Sequence, residues 1–140
     1  MLRVALADHN RQVLWALRTM LQEESGLEVV GEAVDANELF TLTEEAAANL
    51  IMMDKKLPGF RMKELISRLH ALESKPIVIV MSSNSEDSRK VLHDGADAFV
   101  SKGDQPDWLL EILRHYTERA KSLGEWDGES NGDSIESKRS

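Results

Sequence analysis

The chain contains no cysteine among its 140 residues, which excludes disulfides, thiolate metal centres and cysteine nucleophiles. Basic residues are also few, since 17 Lys and Arg stand against 25 Asp and Glu and give a net charge of -8. This acidic balance disfavours binding to the phosphate backbone of nucleic acids and to anionic membranes. No apolar run approaches the ~20 residues of a membrane span, and the amino terminus lacks signal-peptide anatomy. We therefore expect a soluble, cytoplasmic protein without direct nucleic-acid or membrane partners.

Five short apolar segments alternate with five amphipathic segments along the sequence. Such alternation predicts a parallel sheet covered by helices on both faces. The first, third and fourth apolar segments are uninterrupted, which is typical of strands buried on both faces, whereas Glu28 and Glu32 in the second segment indicate an edge strand. The predicted strands are 2–7, 27–33, 50–53, 76–81 and 98–101, and the predicted helices are 11–22, 37–48, 62–72, 86–94 and 106–123.

The composition changes after these alternating segments. Residues 124–140 are rich in Gly, Ser and acidic residues and contain few apolar residues. Such a segment cannot bury enough apolar surface to offset the entropy of ordering it. We therefore predict one folded domain over residues 1–123, followed by a disordered acidic tail or linker over residues 124–140.

Polar and charged residues follow the predicted strands. Asp8 and His9 come after the first strand, Asp54 after the third, Ser82 after the fourth, and Lys102 after the fifth. Ligands of open parallel sheets bind beyond the carboxyl ends of the strands. We therefore expect two carboxylates, a hydroxyl and an ammonium group to share one pocket.

This set of side chains suits the transfer of a phosphoryl group. Asp54 is a candidate nucleophile that would form an acyl phosphate. Phosphoryl transfer needs positioning and neutralisation of charge more than covalent assistance. Lys102 and the Ser82 hydroxyl would each contact a phosphoryl oxygen, and a hard cation such as Mg²⁺ would bridge carboxylate and phosphoryl oxygens.

Four segments together resemble the response-regulator receiver family of two-component signalling: "VALADHN", "LIMMDKKLPG", "VIVMSS" and "GADAFVSKG". Their order and spacing match from about Leu2 to Leu123, and they look most similar to receivers that precede helix-turn-helix DNA-binding domains. No such output domain follows in this sequence. The resemblance implies a flavodoxin-like three-layer α/β sandwich, with five helices and a five-stranded parallel sheet of order 2-1-3-4-5.

By position, the resemblance implies a catalytic and metal-binding set. Asp54 corresponds to the phosphoacceptor, and Lys102 to the lysine that pairs with the phosphoryl group. Ser82 corresponds to the hydroxyl residue that moves with the phosphoryl group. Asp8 corresponds to one of two adjacent acids that hold Mg²⁺. The main-chain carbonyl of Lys56 would be a further metal ligand, beside Asp54 itself.

The resemblance also implies how a signal would be sent. Ser82 and Phe99 correspond to switch residues, and Lys56 and Asn84 to positions that tune dephosphorylation. A histidine kinase would donate the phosphoryl group, and the face formed by the fourth helix, fifth strand and fifth helix would bind a downstream protein or a second copy. Such a protein is a regulator that catalyses at most its own phosphorylation and dephosphorylation.

His9 departs from the family pattern, because it stands where the second acid of the metal-binding pair is usual. Imidazole brings no negative charge when neutral, and Mg²⁺ prefers oxygen ligands. Three hypotheses follow: weaker Mg²⁺ binding, a preference for Mn²⁺ or softer ions, or a protonated His9 that replaces part of the cation's charge. The alternative function is a receiver-like interaction module whose metal-dependent phosphorylation is weakened or absent.

Overall fold

The computed structural model describes residues 1–103 and 106–122. Within these ranges the chain alternates between strands and helices, as the apolar pattern predicts. The strands are β1 (Leu2–Ala7), β2 (Leu27–Ala33), β3 (Leu50–Asp54), β4 (Ile77–Ser82) and β5 (Ala98–Ser101). The helices are α1 (Arg11–Leu21), α2 (Ala36–Ala46), α3 (Met62–His70), α4 (Ser88–His93) and α5 (Pro106–Ser122), and a 3₁₀ turn (Ser85–Asp87) leads into α4.

The five strands form one parallel sheet of order β2-β1-β3-β4-β5. The predicted fold class is confirmed, and β2 lies at an edge of the sheet. Because β1 and β3 pair directly with each other and β4 and β5 follow beside them, the residues at the carboxyl ends of these four strands lie along one rim.

Two apolar layers hold the helices against the sheet. Alternate residues of the central strands, such as Leu6 and Met52, pack in one cluster with apolar residues of α1 and α5. Their neighbours in sequence, such as Ala7 and Met53, pack in a second cluster with residues of α2, α3 and α4. The period of two along a strand sends successive side chains to opposite faces, so an uninterrupted apolar run fills both layers of the sandwich.

Side-chain caps start two of the helices that follow the strands. The Asn10 side chain accepts hydrogen bonds from the main-chain N–H groups of Gln12 and Val13 at the start of α1. Asp35 accepts one from the N–H of Glu38 at the start of α2. Such caps satisfy donors that have no partner within the helix. They fix how the chain turns away from the strand ends, and therefore how the rim is shaped.

The structure moves several predicted boundaries by a few residues. Asp54 and Ser82 are the last residues of β3 and β4 rather than the residues after them. Both strands are one residue longer than predicted at this end because Asp54 pairs with Met81 of the neighbouring strand, and because the N–H of Lys102 donates to the carbonyl of Ser82 at 2.7 Å.

The predicted tail, residues 124–140, lies outside the described residues and stays a prediction. In the ranges that are described, no helix has both the length and the apolar character needed to cross a membrane.

Candidate functional site

Three charged side chains meet at the rim of the sheet. Asp8, directly after β1, is fully buried, and Asp54, at the end of β3, is 5% exposed. The Lys102 ammonium, directly after β5, lies 2.7 Å from Asp8 Oδ2 and 2.6 Å from Asp54 Oδ1. The structure therefore brings together the predicted nucleophile, the predicted lysine and one predicted metal-binding acid, although Asp8 and Lys102 are 94 residues apart.

Main-chain donors orient both carboxylates. The N–H of Asn10 donates to Asp8 Oδ1 at 2.8 Å, and the N–H of Lys56 donates to Asp54 Oδ2 at 2.8 Å. In each carboxylate one oxygen is thus held by the amide two residues further along, while the other accepts from the Lys102 ammonium. This leaves the Asp54 side chain little freedom to rotate, which is the kind of preorganisation that favours reaction at a fixed site.

The pKa of Lys102 reflects its two acidic partners. Burial alone would lower this pKa and is the largest single influence, but the hydrogen bonds to Asp54 and Asp8 and their negative charges together raise it above the ordinary value. Lys102 is therefore an ammonium cation at neutral pH. It balances one of two buried carboxylates, which leaves the cluster with an excess negative charge that could bind a cation.

Among the residues that the structure describes, Asp8, His9 and Asp54 form a group that could bind a metal ion. Each offers one ligand atom, and these atoms lie within 4.8 Å of one another. His9 is exposed over 58% of its side chain, and its Nδ1 lies 3.6 Å from Asp8 Oδ1. Two carboxylate oxygens fit a hard divalent ion, whereas the imidazole nitrogen is a ligand that Mg²⁺ does not prefer. The donor set therefore fits a divalent cation, with fewer anionic ligands than an acid at position 9 would provide.

Ser82 is buried at this rim, and its hydroxyl is hydrogen-bonded within the protein. Ser82 Oγ donates to Asp87 Oδ2 at 2.6 Å and accepts from the N–H of Asn84 at 3.1 Å. The other oxygen of Asp87, Oδ1, lies 2.9 Å from the Lys55 ammonium. The hydrogen bond from Ser82 and then that from Lys55 lower the pKa of the Asp87 carboxyl, so Asp87 is an anion at neutral pH.

The remaining predicted residues lie around this site. Phe99 lies in β5 opposite Val80 and is partly buried against the second apolar cluster. The side chains of Lys56 and Asn84 are exposed, and the Asn84 side chain accepts from the N–H of Glu86 at 2.9 Å. The main-chain N–H of Lys56 donates to Asp54 and that of Asn84 donates to Ser82, so both residues lie beside the charged site.

Sequence reasoning missed Asp87 and the contact that Lys55 makes with it. Asp87 lies in the turn that leads into α4, where acidic residues are common because they suit the positive end of a helix dipole. Nothing in the local sequence distinguishes such an acid from one that binds a buried hydroxyl. The only available signal was the pairing of a lysine directly after Asp54 with an acid shortly after Ser82.

The fold and this site match those of a known family. A family model described as the response regulator receiver domain matches residues 4–114. The chain therefore belongs to the response regulator receiver family, whose members are signalling proteins of two-component systems and typically bind Mg²⁺ at an acidic pocket.

Curated relatives agree with this assignment. The chain is 27% identical over 112 residues to the nitrate/nitrite response regulator protein NarL of Escherichia coli (strain K12), covering 79% of this chain and 52% of NarL. It is 28% identical over 116 residues to the transcriptional regulatory protein LiaR of Bacillus subtilis (strain 168), covering 81% of this chain and 55% of LiaR. The chain thus spans about half the length of these relatives.

Solved structures share the fold. The isolated receiver domain of RcsB from Salmonella enterica serovar Typhimurium, determined in the presence of the phosphomimetic BeF3⁻, superimposes with a TM-score of 0.75 at 24% identity and covers 84% of this chain and 88% of that one. The signal receiver domain of the response regulator NarL from Mycobacterium tuberculosis gives a TM-score of 0.74 at 18% identity, covering 84% and 96%.

Proposed function

We propose that this chain is a phosphoacceptor switch that receives a phosphoryl group on Asp54 from a histidine kinase. The observation that carries the proposal is the cluster of Asp54, Asp8 and Lys102, in which a buried carboxylate is held 2.6 Å from a cationic amine. A nucleophile of this kind needs a fixed direction of attack and nearby positive charge to offset the incoming phosphoryl oxygens.

These positions support a direct transfer, which would proceed as follows. An Asp54 carboxylate oxygen attacks phosphorus, the phosphorus–nitrogen bond of the donor phosphohistidine breaks, and its electron pair stays on the imidazole, which then takes up a proton. The product is an acyl phosphate on Asp54. Lys102 is already bound to Asp54 and would pair with one of the new phosphoryl oxygens, and the Ser82 hydroxyl would donate to another once its proton is released from Asp87.

The same residues would hold the metal ion. Asp8, Asp54 and the main-chain carbonyl of Lys56 would supply oxygen ligands to Mg²⁺, and the ion would neutralise negative charge on the transferred group. His9 stands where a second acid would add an anionic ligand. We therefore expect weaker Mg²⁺ binding than at a site with two adjacent acids, and relatively better binding of Mn²⁺, which accepts imidazole more readily.

The output would be a change of surface. Phosphorylation adds a charge of about -2 at a rim where Ser82 is linked to the turn that opens α4. Phe99 packs beside the same apolar layer as Val91 of α4, so a shift of that turn would reach it. The face formed by α4, β5 and α5 would then bind a downstream protein or a second copy of the chain. Lys56 and Asn84, which lie beside the charged site, would tune the lifetime of the acyl phosphate.

A mass measurement tests the proposal. The protein is incubated with a small phosphodonor and either Mg²⁺ or Mn²⁺, and intact mass is recorded. We expect one added phosphoryl group that is absent from Asp54→Asn. The matched control Asp94→Asn alters an acid at the end of α4 that pairs with Lys90 and should be phosphorylated normally.

His9 supports a second candidate, an interaction module that does not depend on phosphorylation. The same experiment separates the two functions. If no adduct forms on the wild-type protein with either ion, the second candidate is favoured. If an adduct forms but persists in Asp54→Asn, the assignment of the acceptor is wrong.

A further inference from the structure

The hydroxyl of Ser82 has a single proton, and Asp87 already binds it. We propose that Asp87, held in place by Lys55, competes with the phosphoryl group on Asp54 for the Ser82 proton and thereby opposes the switch to the active form. This inference rests on the proposed function, because it needs a phosphoryl group at Asp54. It assigns a positioning role to two residues outside the predicted site.

The bond to Asp87 is strong for a hydroxyl group. Its 2.6 Å length falls in the range of hydrogen bonds from O–H donors to ionised carboxylates, which are about twice as strong as neutral ones. Ser82 is only 4% exposed, so water has little access to its hydroxyl. A serine hydroxyl offers one donor, and the bonds to Asp87 and to a phosphoryl oxygen therefore exclude each other.

Lys55 fixes the position of the competing acceptor. It follows Asp54 directly in sequence, its ammonium lies 2.9 Å from Asp87 Oδ1, and its main-chain N–H donates to the carbonyl of Met81 at 2.7 Å. The chain of contacts from Ser82 through Asp87 to Lys55 thus joins the ends of β3 and β4 to the 3₁₀ turn before α4. Release of Ser82 from Asp87 would also free this turn, which leads into the proposed output face.

A role for Asp87 in fold stability alone would give a different result from competition. If Asp87 only stabilised the turn, its removal would lower the stability of the protein without favouring a bound phosphoryl group. If it competes for the Ser82 proton, its removal strengthens binding of a phosphoryl mimic, and only while Ser82 can donate. The dependence on Ser82 distinguishes the two roles.

The experiment measures the affinity of the full chain for beryllofluoride, a mimic of the phosphoryl group, by calorimetric titration in the presence of a divalent ion. We expect Asp87→Ala to bind about tenfold more tightly than wild type, which corresponds to about 1.4 kcal/mol and to the loss of one competing charged hydrogen bond. Asp87→Asn keeps the shape of the side chain but accepts a weaker bond, so it should give a smaller increase and serves if Asp87→Ala does not fold.

Two controls isolate the mechanism. Glu86→Ala removes a negative charge from the same turn, and because its side chain is exposed it should change the affinity less than twofold. In a Ser82→Ala background, Asp87→Ala should leave the affinity unchanged.

Three results would overturn the inference. Equal affinities of wild type and the Asp87 variants would show that Asp87 does not compete. An increase that persists without the Ser82 hydroxyl would show that charge alone is responsible. Failure of the wild-type protein to bind beryllofluoride with any divalent ion would refute the proposed function, and this inference with it.

Discussion

Lys102→Met provides the sharpest test of the charge balance at the site. The substitution keeps an apolar stem of similar length and removes the ammonium group that lies 2.7 Å from Asp8 and 2.6 Å from Asp54. Asp8 is fully buried and Asp54 nearly so, so the variant leaves two carboxylates with no cation between them. Removing one partner from a buried ion pair is strongly destabilising for this reason.

The magnitude follows from the geometry. Ligand oxygens of Asp8 and Asp54 lie within 4.8 Å of each other, and two unit charges at that distance repel by roughly 3 kcal/mol at an effective dielectric constant of about 20. The Lys102 side chain is 26% exposed, so water screens part of the effect and the expected loss is about 2–4 kcal/mol of unfolding free energy. For a domain of this size that corresponds to a fall in Tm of roughly 10 °C.

Urea denaturation, followed by circular dichroism, measures this loss with and without a divalent ion. Mg²⁺ or Mn²⁺ should restore part of the stability of Lys102→Met, since either ion can lie between the two carboxylates. The double variant Lys102→Met/Asp8→Asn should be more stable than the single variant, because only one buried charge remains.

Lys90→Met is the matched control for this experiment. The Lys90 side chain is 72% exposed and that of its partner Asp94 is 7% exposed, so water screens the cation and its loss should cost at most about 1 kcal/mol. A loss below about 1 kcal/mol in Lys102→Met, or an equal loss in the double variant with Asp8→Asn, would contradict the reasoning.

Two further predictions concern stability away from the site. The hydrogen bond to Asp97 raises the pKa of His70, so the contact stabilises the folded protein when His70 is protonated. This stabilisation should be complete below about pH 6.5, the ordinary pKa of histidine, and should be lost as the pH rises through the pKa of the folded state. Urea denaturation across pH should therefore show that His70→Gln has a lower unfolding free energy than wild type, by up to about 1 kcal/mol at low pH and by less at high pH. A difference in unfolding free energy that does not vary with pH would contradict this prediction. Gly59 has a φ of +120°, and the Cβ of an alanine at this position would lie 3.0 Å from Ala36 Cβ. Gly59→Ala should therefore lower the unfolding free energy by roughly 1–2 kcal/mol. Thermal denaturation measures this loss, and an unchanged Tm would refute the prediction.

The fold could be predicted closely from the sequence because its signals are local. Uninterrupted apolar runs placed β1, β3 and β4, and the charges at Glu28 and Glu32 indicated the edge position of β2. Boundaries were less accurate where a contact between strands decides them. Asp54 and Ser82 join the ends of their strands through ladder contacts with Met81 and Ser101, which no local pattern contains.

The site could be predicted in part. Because parallel strands present their carboxyl ends on one rim, the sequence indicated that Asp8, Asp54 and Lys102 would lie near each other, and the structure brings them together. The partner of the Ser82 hydroxyl could not be predicted, since several acceptors lie within a few residues of the rim. Asp87 accepts the hydrogen bond because the turn before α4 places its carboxylate 2.6 Å from Ser82 Oγ, and because the Lys55 ammonium holds the carboxylate there.

The order of strands and helices along the chain, the parallel sheet and the residues at its rim can be inferred from the amino-acid sequence, since apolar periodicity and strand polarity are encoded by neighbours along the chain. Which oxygen meets which donor depends on the packed fold: Lys102 lies between two carboxylates, and Ser82 donates to Asp87. A hydrogen bond depends on tenths of an ångström and on direction. Those quantities are fixed only when all strand ends and the loops between them have packed together.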